Sequence, residues 1–314
     1  MKSPVLVCVV LALMLAACDR GASAPMLKRP IPTAVPGPAT PSSTIQAANP
    51  QAIEHFKRGR ELTEQDNPEA ALGEYNAAIA IDPSYADPYW AKARIQLYLG
   101  DVPAALQNAN RAITLDPGDG EAYASRGAVY RVQGDIGAAI EDWTLAIERL
   151  TDDDVRAGTF YNRGNAYLEQ DKTDAAIEDY TRAIELTSDF PEAYCNRGLL
   201  YRNRKDFDAA LADFDRALEL DPQDDETRFN VHFNRGLTHL DLKNYAASEE
   251  DYRRAVEINP KSAPALANLG TVKLSRQDYQ AALDYCNQAL QIDPKNTVAR
   301  LCRISANLGL PGSK

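Results

Sequence analysis

The chain has 314 residues and a formal net charge of −11, from 34 basic and 45 acidic side chains. Nucleic acids are unfavourable partners for so acidic a chain, because it has no excess of lysine and arginine to contact phosphates. The sequence contains three histidines and no P-loop, HExxH, GxSxG or dinucleotide glycine motif, so it predicts a protein without enzymatic activity, cofactor or metal ion.

Residues 1–17 have the order of an export signal. Lys2 is followed by an apolar run over residues 5–15, which is too short to span a bilayer, and residues 15–18 read Leu-Ala-Ala-Cys. These four residues resemble a bacterial lipobox, which implies cleavage before Cys18 and attachment of lipid to this cysteine. The alternative is an ordinary secretory signal with a chance cysteine. The resemblance implies a protein that is lipid-anchored in the cell envelope and faces the periplasm.

Residues 18–51 are predicted to be a disordered tether after the lipid anchor. The stretch from Asp19 to residue 51 holds seven prolines and almost no apolar periodicity, so it cannot bury a core. Asp19 itself resembles an inner-membrane retention signal of enteric bacteria, but inner and outer membrane both stay open.

Residues 52–296 repeat one phrase with a period of about 34 residues. Three copies contain the pattern aromatic-x-(Ser or Asn)-Arg-Gly, which starts at Tyr123, Phe160 and Tyr194. Each of them continues with Ala-x-x-x-aromatic-x-x-Ala. Counted from the start of a copy, position 8 is mostly glycine, position 27 is always alanine and position 32 is mostly proline. Small side chains let two helices approach closely, and proline marks a helix boundary. The copies span 52–85, 86–119, 120–153, 157–190, 191–224, 229–262 and 263–296.

This pattern resembles the tetratricopeptide repeat, a pair of helices joined by a turn. The resemblance implies an all-α fold, a right-handed α-solenoid of about seven helix pairs. Residues 297–314 begin like another first helix, and we expect them to form a capping helix and a tail. In this family the first helices line a concave groove that binds a peptide or protein partner.

Positions 2, 5, 6, 9, 12 and 13 of the first helices face that groove in the family. They are cationic and aromatic in the early repeats, and position 6 is asparagine in four successive later ones. A row of exposed amides can bind an extended peptide backbone, although asparagine here could equally belong to the repeat's consensus. The predicted partner-binding residues are Phe56, Lys57, Arg60, Trp90, Arg94, Tyr98, Arg131, Tyr161, Asn162, Asn165, Asn196, Arg202, Asn203, Phe233, Asn234 and Asn268.

Position 7 is basic in six repeats, and position 23 is acidic opposite five of these basic residues. In the last repeat Leu269 replaces the base and Tyr285 replaces the acid, so the two positions change together. This covariation between copies favours structural ion pairs between the two helices of a repeat over an anion-binding stripe. The predicted pairs are Arg58–Glu74, Arg126–Asp142, Arg163–Asp179, Arg197–Asp213 and Arg235–Asp251.

Histidine and cysteine residues leave alternatives open. His232 and His239 share a helix face and could form a metal pair, but no nearby cysteine completes a ligand set, so we favour imidazoles that replace core aromatics.

Three cysteines follow Cys18. Cys286 and Cys302 could be near neighbours and form a disulfide, but burial of Cys195, Cys286 and Cys302 as small hydrophobic side chains is the interpretation that we favour.

These features predict a membrane-tethered scaffold or adaptor of the bacterial cell envelope that binds a peptide or protein partner. A glycan- or peptidoglycan-binding module is the alternative from another class, with Trp90, Tyr161 and Phe233 as stacking platforms. An assembly factor for pilus or outer-membrane complexes is a further candidate. The sequence does not indicate the identity of the partner.

Overall fold

A computed structural model describes residues 48–310, which form 15 α-helices and no strand. Residues 1–47 lie outside this range, and with them the predicted export signal, Cys18 and most of the predicted tether. The helices are α1 (Pro50–Glu64), α2 (Pro68–Ile81), α3 (Asp87–Tyr98), α4 (Val102–Leu115), α5 (Gly120–Gln133), α6 (Ile136–Arg149), α7 (Asp153–Glu169), α8 (Thr173–Leu186), α9 (Pro191–Asn203), α10 (Phe207–Glu219), α11 (Asp225–Asp241), α12 (Tyr245–Ile258), α13 (Ala263–Ser275), α14 (Tyr279–Ile292) and α15 (Thr297–Gly309). The predicted all-α fold is confirmed.

The described chain divides into two compact units, residues 48–189 with α1–α8 and residues 190–310 with α9–α15. In the first unit each helix packs against the next, and α3 also contacts α1 and α5, so first helices of neighbouring repeats lie side by side. In the second unit the same order holds from α9 to α14, and α15 packs against both α13 and α14 in the manner of the predicted cap. None of the helices in these two units is long and apolar enough to cross a membrane.

Side-chain caps set the starts of most helices. The carboxylate of Asp135, for example, accepts a 3.0 Å hydrogen bond from the backbone N–H of Ala138 at the start of α6. Asn49 caps α1 in the same way through the N–H of Gln51, and Pro50 occupies the first helical position, where no backbone donor is needed. The first helix therefore includes the last two residues of the predicted tether.

The turn between the two helices of a repeat places position 15 in the left-handed region of backbone space. The φ angle at this position is 84° at Gly100 and Gly134, where glycine adopts it without a steric cost. In the other five repeats a residue with a Cβ atom holds the same conformation. These residues are Asp66 (54°), Asp171 (59°), Lys205 (64°), Lys243 (60°) and Gln277 (64°).

The repeat core forms where an aromatic residue at position 24 packs against glycine at position 8. A Cβ atom on Gly164 would lie 2.9 Å from Cε1 of the buried Tyr180 ring, which is closer than packed atoms tolerate. Glycine thus lets α7 and α8 approach closely enough to bury the aromatic ring. The last repeat carries Cys286 instead of an aromatic residue at position 24.

Cys286 of α14 and Cys302 of α15 form a disulfide, with their Cα atoms 6.2 Å apart. The interpretation of both as free buried thiols is therefore wrong. A cysteine at position 24 leaves the space that an aromatic ring fills in five of the other repeats, and α15 packs close enough for Cys302 to enter it. Cys195 is a free, buried cysteine, and burial raises the pKa of its thiol to about 12, so it stays protonated at neutral pH.

Candidate functional site

The position-7 arginine and the position-23 aspartate form a bidentate ion pair in four repeats. Nε and Nη2 of Arg163 each donate a 2.8 Å hydrogen bond to one carboxylate oxygen of Asp179. Burial opposes the charge on Arg163, but the hydrogen bonds to Asp179 raise the pKa of the guanidinium overall. Burial also raises the pKa of the Asp179 carboxyl, and the hydrogen bonds from Arg163 offset part of that effect. The same contacts join Arg126 to Asp142, Arg197 to Asp213 and Arg235 to Asp251.

The same arginine also reaches the preceding repeat. The Arg163 guanidinium lies 5.4 Å and 5.7 Å from the ring centroids of Phe160 and Tyr167, which hold it from two sides. Its Nη1 donates to the hydroxyl of Thr144 in α6 at 3.0 Å. One side chain thus links α6, α7 and α8, and each of its three nitrogens has a protein acceptor. These arginines hold helices together and do not form an anion-binding stripe.

The first repeat departs from this arrangement. Nη1 of Arg58 lies 4.0 Å from Glu74, and the Arg58 side chain is 59% exposed. Nδ1 of His55 instead lies 2.6 Å from the Glu74 carboxylate. The predicted Arg58–Glu74 pair is therefore loose, and His55 makes the close contact to the Glu74 carboxylate. A histidine at this position does not by itself displace the arginine, because His232 occupies it in the sixth repeat, where Arg235 keeps both bonds to Asp251.

The two histidines of α11 surround the aspartate of their own repeat. Nδ1 of His232 lies 2.9 Å from Oδ1 of Asp251, and Nε2 of His239 lies 4.0 Å from Oδ2. Together with Arg235 they place three basic side chains around one buried carboxylate. Across residues 48–310, no group of histidine, cysteine and acidic side chains is arranged to hold a metal ion.

The position-6 asparagines are buried. The exposed fraction is 8% for Asn162, 1% for Asn196, 0% for Asn234 and 3% for Asn268. Asn165 is also buried, and its side-chain oxygen accepts a 2.6 Å hydrogen bond from the Tyr180 hydroxyl. The expected row of exposed amides is therefore absent from the described surface. The first helices α9 and α11, which carry Asn196 and Asn234, contact each other, and side chains directed at that contact are covered.

The predicted aromatic platforms are core residues. Tyr161 is fully buried against Tyr180, at 5.7 Å between ring centroids, and Phe233 is 1% exposed against Tyr252. In the first repeats Phe56 and Trp90 are each 6% exposed and meet edge to face. Rings with so little exposed surface cannot stack on a sugar or a peptide in this conformation.

Several predicted cationic residues carry protein partners. Nη1 of Arg131 lies 3.2 Å from Glu169, and Nη2 of Arg202 lies 2.7 Å from Asp241. Each of these pairs joins first helices of neighbouring repeats. Among the predicted groove residues, those with exposed side chains are Lys57, Tyr98 and Asn203. Arg60 is partly exposed.

A cavity of about 40 Å³ opens among the helices of the first unit, lined by α3, α5, α6 and α7. Apolar side chains of Ala124, Ala128, Trp143 and Val155 form part of its wall. The indole of Trp143 donates to the backbone carbonyl of Ala124 at 3.2 Å, which fixes this side of the wall. The polar side chains that line the cavity are Arg94, Glu121, Ser125, Asp154, Thr159 and Asn162.

The cavity contains a buried carboxyl group. Glu121 is 5% exposed, and Arg94 is its neighbour at 3.6 Å, a distance longer than a direct hydrogen bond. Burial raises the pKa of Glu121 to about 7, and Arg94 offsets only part of this effect. Asp154 lies at the rim and accepts a 2.8 Å hydrogen bond from the Thr187 hydroxyl.

Sequence reasoning identified Arg94 and Asn162 as candidate binding residues but missed Glu121 and Ser125. Glu121 occupies position 2 and Ser125 position 6 of the third repeat, both of which belong to the groove-facing set. The available signal was Ser125 itself, which stands where four later repeats carry asparagine. A small hydroxyl at this position leaves space that an amide would fill.

Models of one repeat family match most of the described chain. A tetratricopeptide repeat model matches residues 90–155, and a TPR repeat model matches residues 164–203. A further tetratricopeptide repeat model matches residues 191–224, 229–262 and 263–296, which coincide with the fifth, sixth and seventh copies. No match is found among curated protein sequences.

Three solved structures illustrate the similarity in fold. A chain of the Cut9–Hcn1 hetero-tetramer of the APC/C matches with a TM-score of 0.60 and 18% identity. The match covers 82% of this chain and 52% of that chain, so this protein spans about half the length of that chain. PilF of Pseudomonas aeruginosa matches with a TM-score of 0.61 and 17% identity, over 68% and 95% of the two chains. YrrB, described as a TPR protein with an unusual peptide-binding site, matches with a TM-score of 0.50 and 25% identity, over 61% and 95%.

Repeat models thus cover residues on both units, and the helix pairs of each unit follow the period of those models. Repeats of this kind bind peptides or protein partners and are generally not catalytic. The chain belongs to the tetratricopeptide repeat family.

Proposed function

We propose that this protein is a scaffold that binds a peptide segment of a partner protein on its first helices and holds that partner close to a membrane of the bacterial envelope. The observation that carries the binding part is the cavity in the first unit, where polar side chains of α3, α5 and α7 converge. The similarity of this chain to YrrB, which is described as having a peptide-binding site, supports a peptide as the occupant.

The proposed envelope location is supported by two independent features. The first is the export signal of residues 1–17 with Cys18 at its end, as judged from the sequence. The second is the Cys286–Cys302 disulfide, because disulfides persist in oxidising compartments and are rare in the reducing cytosol. Lipid on Cys18 would anchor the repeats to the membrane, facing the periplasm.

Metabolic labelling with an alkyne-bearing fatty acid tests the anchor. The wild-type chain should carry the label and sediment with membranes, and the Cys18→Ser variant should lose both properties. A Cys195→Ser variant serves as the control for loss of any other thiol. Wild-type protein that carries no acyl mass and is freely soluble would contradict the anchor and leave the binding function untouched.

Affinity capture from an envelope extract tests the binding function, with bound proteins identified by mass spectrometry. Lys57→Ala and Tyr98→Ala alter exposed side chains of first helices, and Arg182→Glu alters an exposed side chain of a second helix. Capture of one dominant protein that the first two changes weaken more than tenfold, and the third does not, supports the scaffold. Retention on purified cell wall with no captured protein would instead support the glycan-binding alternative.

A further inference from the structure

We infer that the cavity of the first unit binds the ammonium group of a lysine side chain in the partner segment, with Glu121, Ser125 and Asp154 as its ligands. This inference rests on the proposed function and specifies the chemistry of its binding site. It assigns a binding role to Ser125, and to Glu121 a binding role beyond the 3.6 Å ion pair that joins it to Arg94 of α3.

Ser125 is the residue that points most directly to a bound donor group. Its side chain is 4% exposed, lines the cavity, and its Oγ has no hydrogen-bond partner. Hydroxyl groups buried without a partner lose the hydrogen bonds they make to water, and native proteins seldom keep them. A bound ammonium group would donate to Oγ and satisfy it.

Glu121 provides the charge. It is almost fully buried, and within residues 48–310 the ion-pair contact to its carboxylate is the 3.6 Å approach of Arg94. The charged groups that act on it include Arg60 of α1, Asp87 and Arg94 of α3, Asp119 at the start of α5, and Asp152 at the start of α7. Burial raises the pKa of Glu121 to about 7, so the carboxyl is partly protonated near neutral pH. A cation bound beside it would displace this proton.

The donors and acceptors of the cavity favour lysine over other side chains. An ammonium group is a compact charge with three donors, which suits separate oxygen acceptors on Glu121, Ser125 and Asp154. Ala124, Ala128 and Val155 supply apolar contacts for the methylene groups of the lysine side chain. Two acidic side chains and one arginine line the cavity, so a second cation is favoured over an anion.

NMR titration of the ¹⁵N-labelled chain with the peptide acetyl-Gly-Gly-Lys-Gly-Gly-amide tests this inference. The reporter is the indole N–H of Trp143, which lies in the cavity wall and is one of two tryptophans in the chain. We expect a saturable shift with the lysine peptide and binding at least tenfold weaker with the matched norleucine and glutamate peptides. Binding should tighten as the pH rises from about 6 to about 8, because Glu121 must release its proton.

Variants locate the effect. Glu121→Gln should weaken binding of the lysine peptide at least tenfold at pH 8, whereas Glu141→Gln, on the exposed face of α6, should bind like the wild type. Circular dichroism and the dispersion of the NMR spectrum show whether Glu121→Gln remains folded. Ser125→Ala, which keeps the charge, should weaken binding by a smaller factor.

Three outcomes would overturn the inference: no saturable shift in the wild type, equal binding of the norleucine peptide, or tighter binding of the glutamate peptide. None of them would affect the scaffold function if a partner is still captured through the first helices. A chain that binds the lysine peptide but captures no protein would support the ammonium site and contradict the scaffold function.

Discussion

The Arg163 guanidinium donates a 3.0 Å hydrogen bond to the hydroxyl of Thr144, which belongs to the preceding repeat. The same guanidinium holds Asp179 in its own repeat through two further bonds. Arg126 and Arg235 make equivalent bonds to Asn110 and Asp215 in the helices before them. Position 7 therefore connects successive repeats as well as the two helices of one repeat.

Removing one member of the Arg163–Asp179 pair should be costly. Arg163→Leu leaves the Asp179 carboxylate, which is 3% exposed, without its donors, and should lower the free energy of unfolding by about 1–3 kcal/mol. Adding Asp179→Tyr should recover part of that loss, because the last repeat uses Leu269 with Tyr285. Thermal or urea unfolding of the wild type, both single variants and the double variant gives the coupling energy.

The matched control for this pair is Arg182→Leu. Arg182 pairs with Glu185 on the surface of α8, where both side chains are more than half exposed. Its removal should leave the unfolding midpoint close to that of the wild type, because an exposed pair of this kind stabilises a protein little. Strictly additive losses at Arg163 and Asp179 would mean that the two side chains do not stabilise each other.

Glycine at position 15 should stabilise repeats that lack it. Lys243 has a φ of 60°, a conformation that is strained for residues with a Cβ atom. Lys243→Gly relieves this strain but increases the entropy of the unfolded chain, so we expect a net gain of about 0.5–1 kcal/mol. The reverse change, Gly134→Ala, should destabilise by a similar amount. Equal unfolding midpoints for Lys243→Gly and the wild type would contradict this account.

Reduction of the Cys286–Cys302 disulfide should destabilise the second unit. The bridge closes a loop with a sequence separation of 16, for which the lost unfolded-state entropy corresponds to about 3 kcal/mol. A reducing agent should therefore lower the melting temperature of the wild type, and the Cys286→Ser/Cys302→Ser variant should melt at the lower temperature with or without it. Cys195→Ala, which keeps the bridge, should retain the response to the reducing agent.

Glu121→Gln should stabilise the chain at high pH. The folded state raises the pKa of Glu121 from its ordinary value of 4.5 to about 7, so it binds more protons than the unfolded state between these values. Wild-type stability thus falls as the pH rises through this window, by on the order of 2–3 kcal/mol, and the glutamine variant escapes this loss. Below about pH 4.5 the two proteins should be equally stable.

Urea unfolding of the wild type and of Glu121→Gln at about pH 4.5 and pH 8 measures this difference. Glu141→Gln removes an exposed carboxyl on α6 and should show no such dependence. A gain in stability that is the same at both pH values would show that the effect does not arise from titration of Glu121.

The repeat pattern predicted the fold well because its signals are local and recur. Position 8 glycines such as Gly164 and position 24 aromatics such as Tyr180 meet in the structure as their spacing indicates. The Arg163–Asp179 contact was also readable, because Leu269 and Tyr285 replace both members at once. The bond to Thr144 could not be predicted from the sequence. The residue at position 25 that accepts the bond from the arginine of the next repeat is asparagine, threonine or aspartate, so it shows no recurring pattern.

The candidate site was harder to predict because periodicity gives the direction of a side chain and not its exposure. Asn196 and Tyr161 occupy groove-facing positions, yet both are buried. Glu121 was overlooked because position 2 of a helix is usually solvated and an acidic residue there favours the helix dipole. The disulfide depends on how closely α15 approaches α14, which no repeat consensus describes.

The second repeat carries Lys92 at position 7, and an ammonium group cannot make the forked contacts of a guanidinium. The junction between the first two repeats depends instead on aromatic contacts, such as that of Phe56 with Trp90. In a stacked array each repeat contacts only its neighbours, so a terminal repeat is held by one junction and an internal repeat by two. Helices α1 and α2 should therefore fray before the repeats that follow, and their amide hydrogens should exchange with solvent first. The segment nearest to the proposed anchor would then be the first to yield when the tether is under tension.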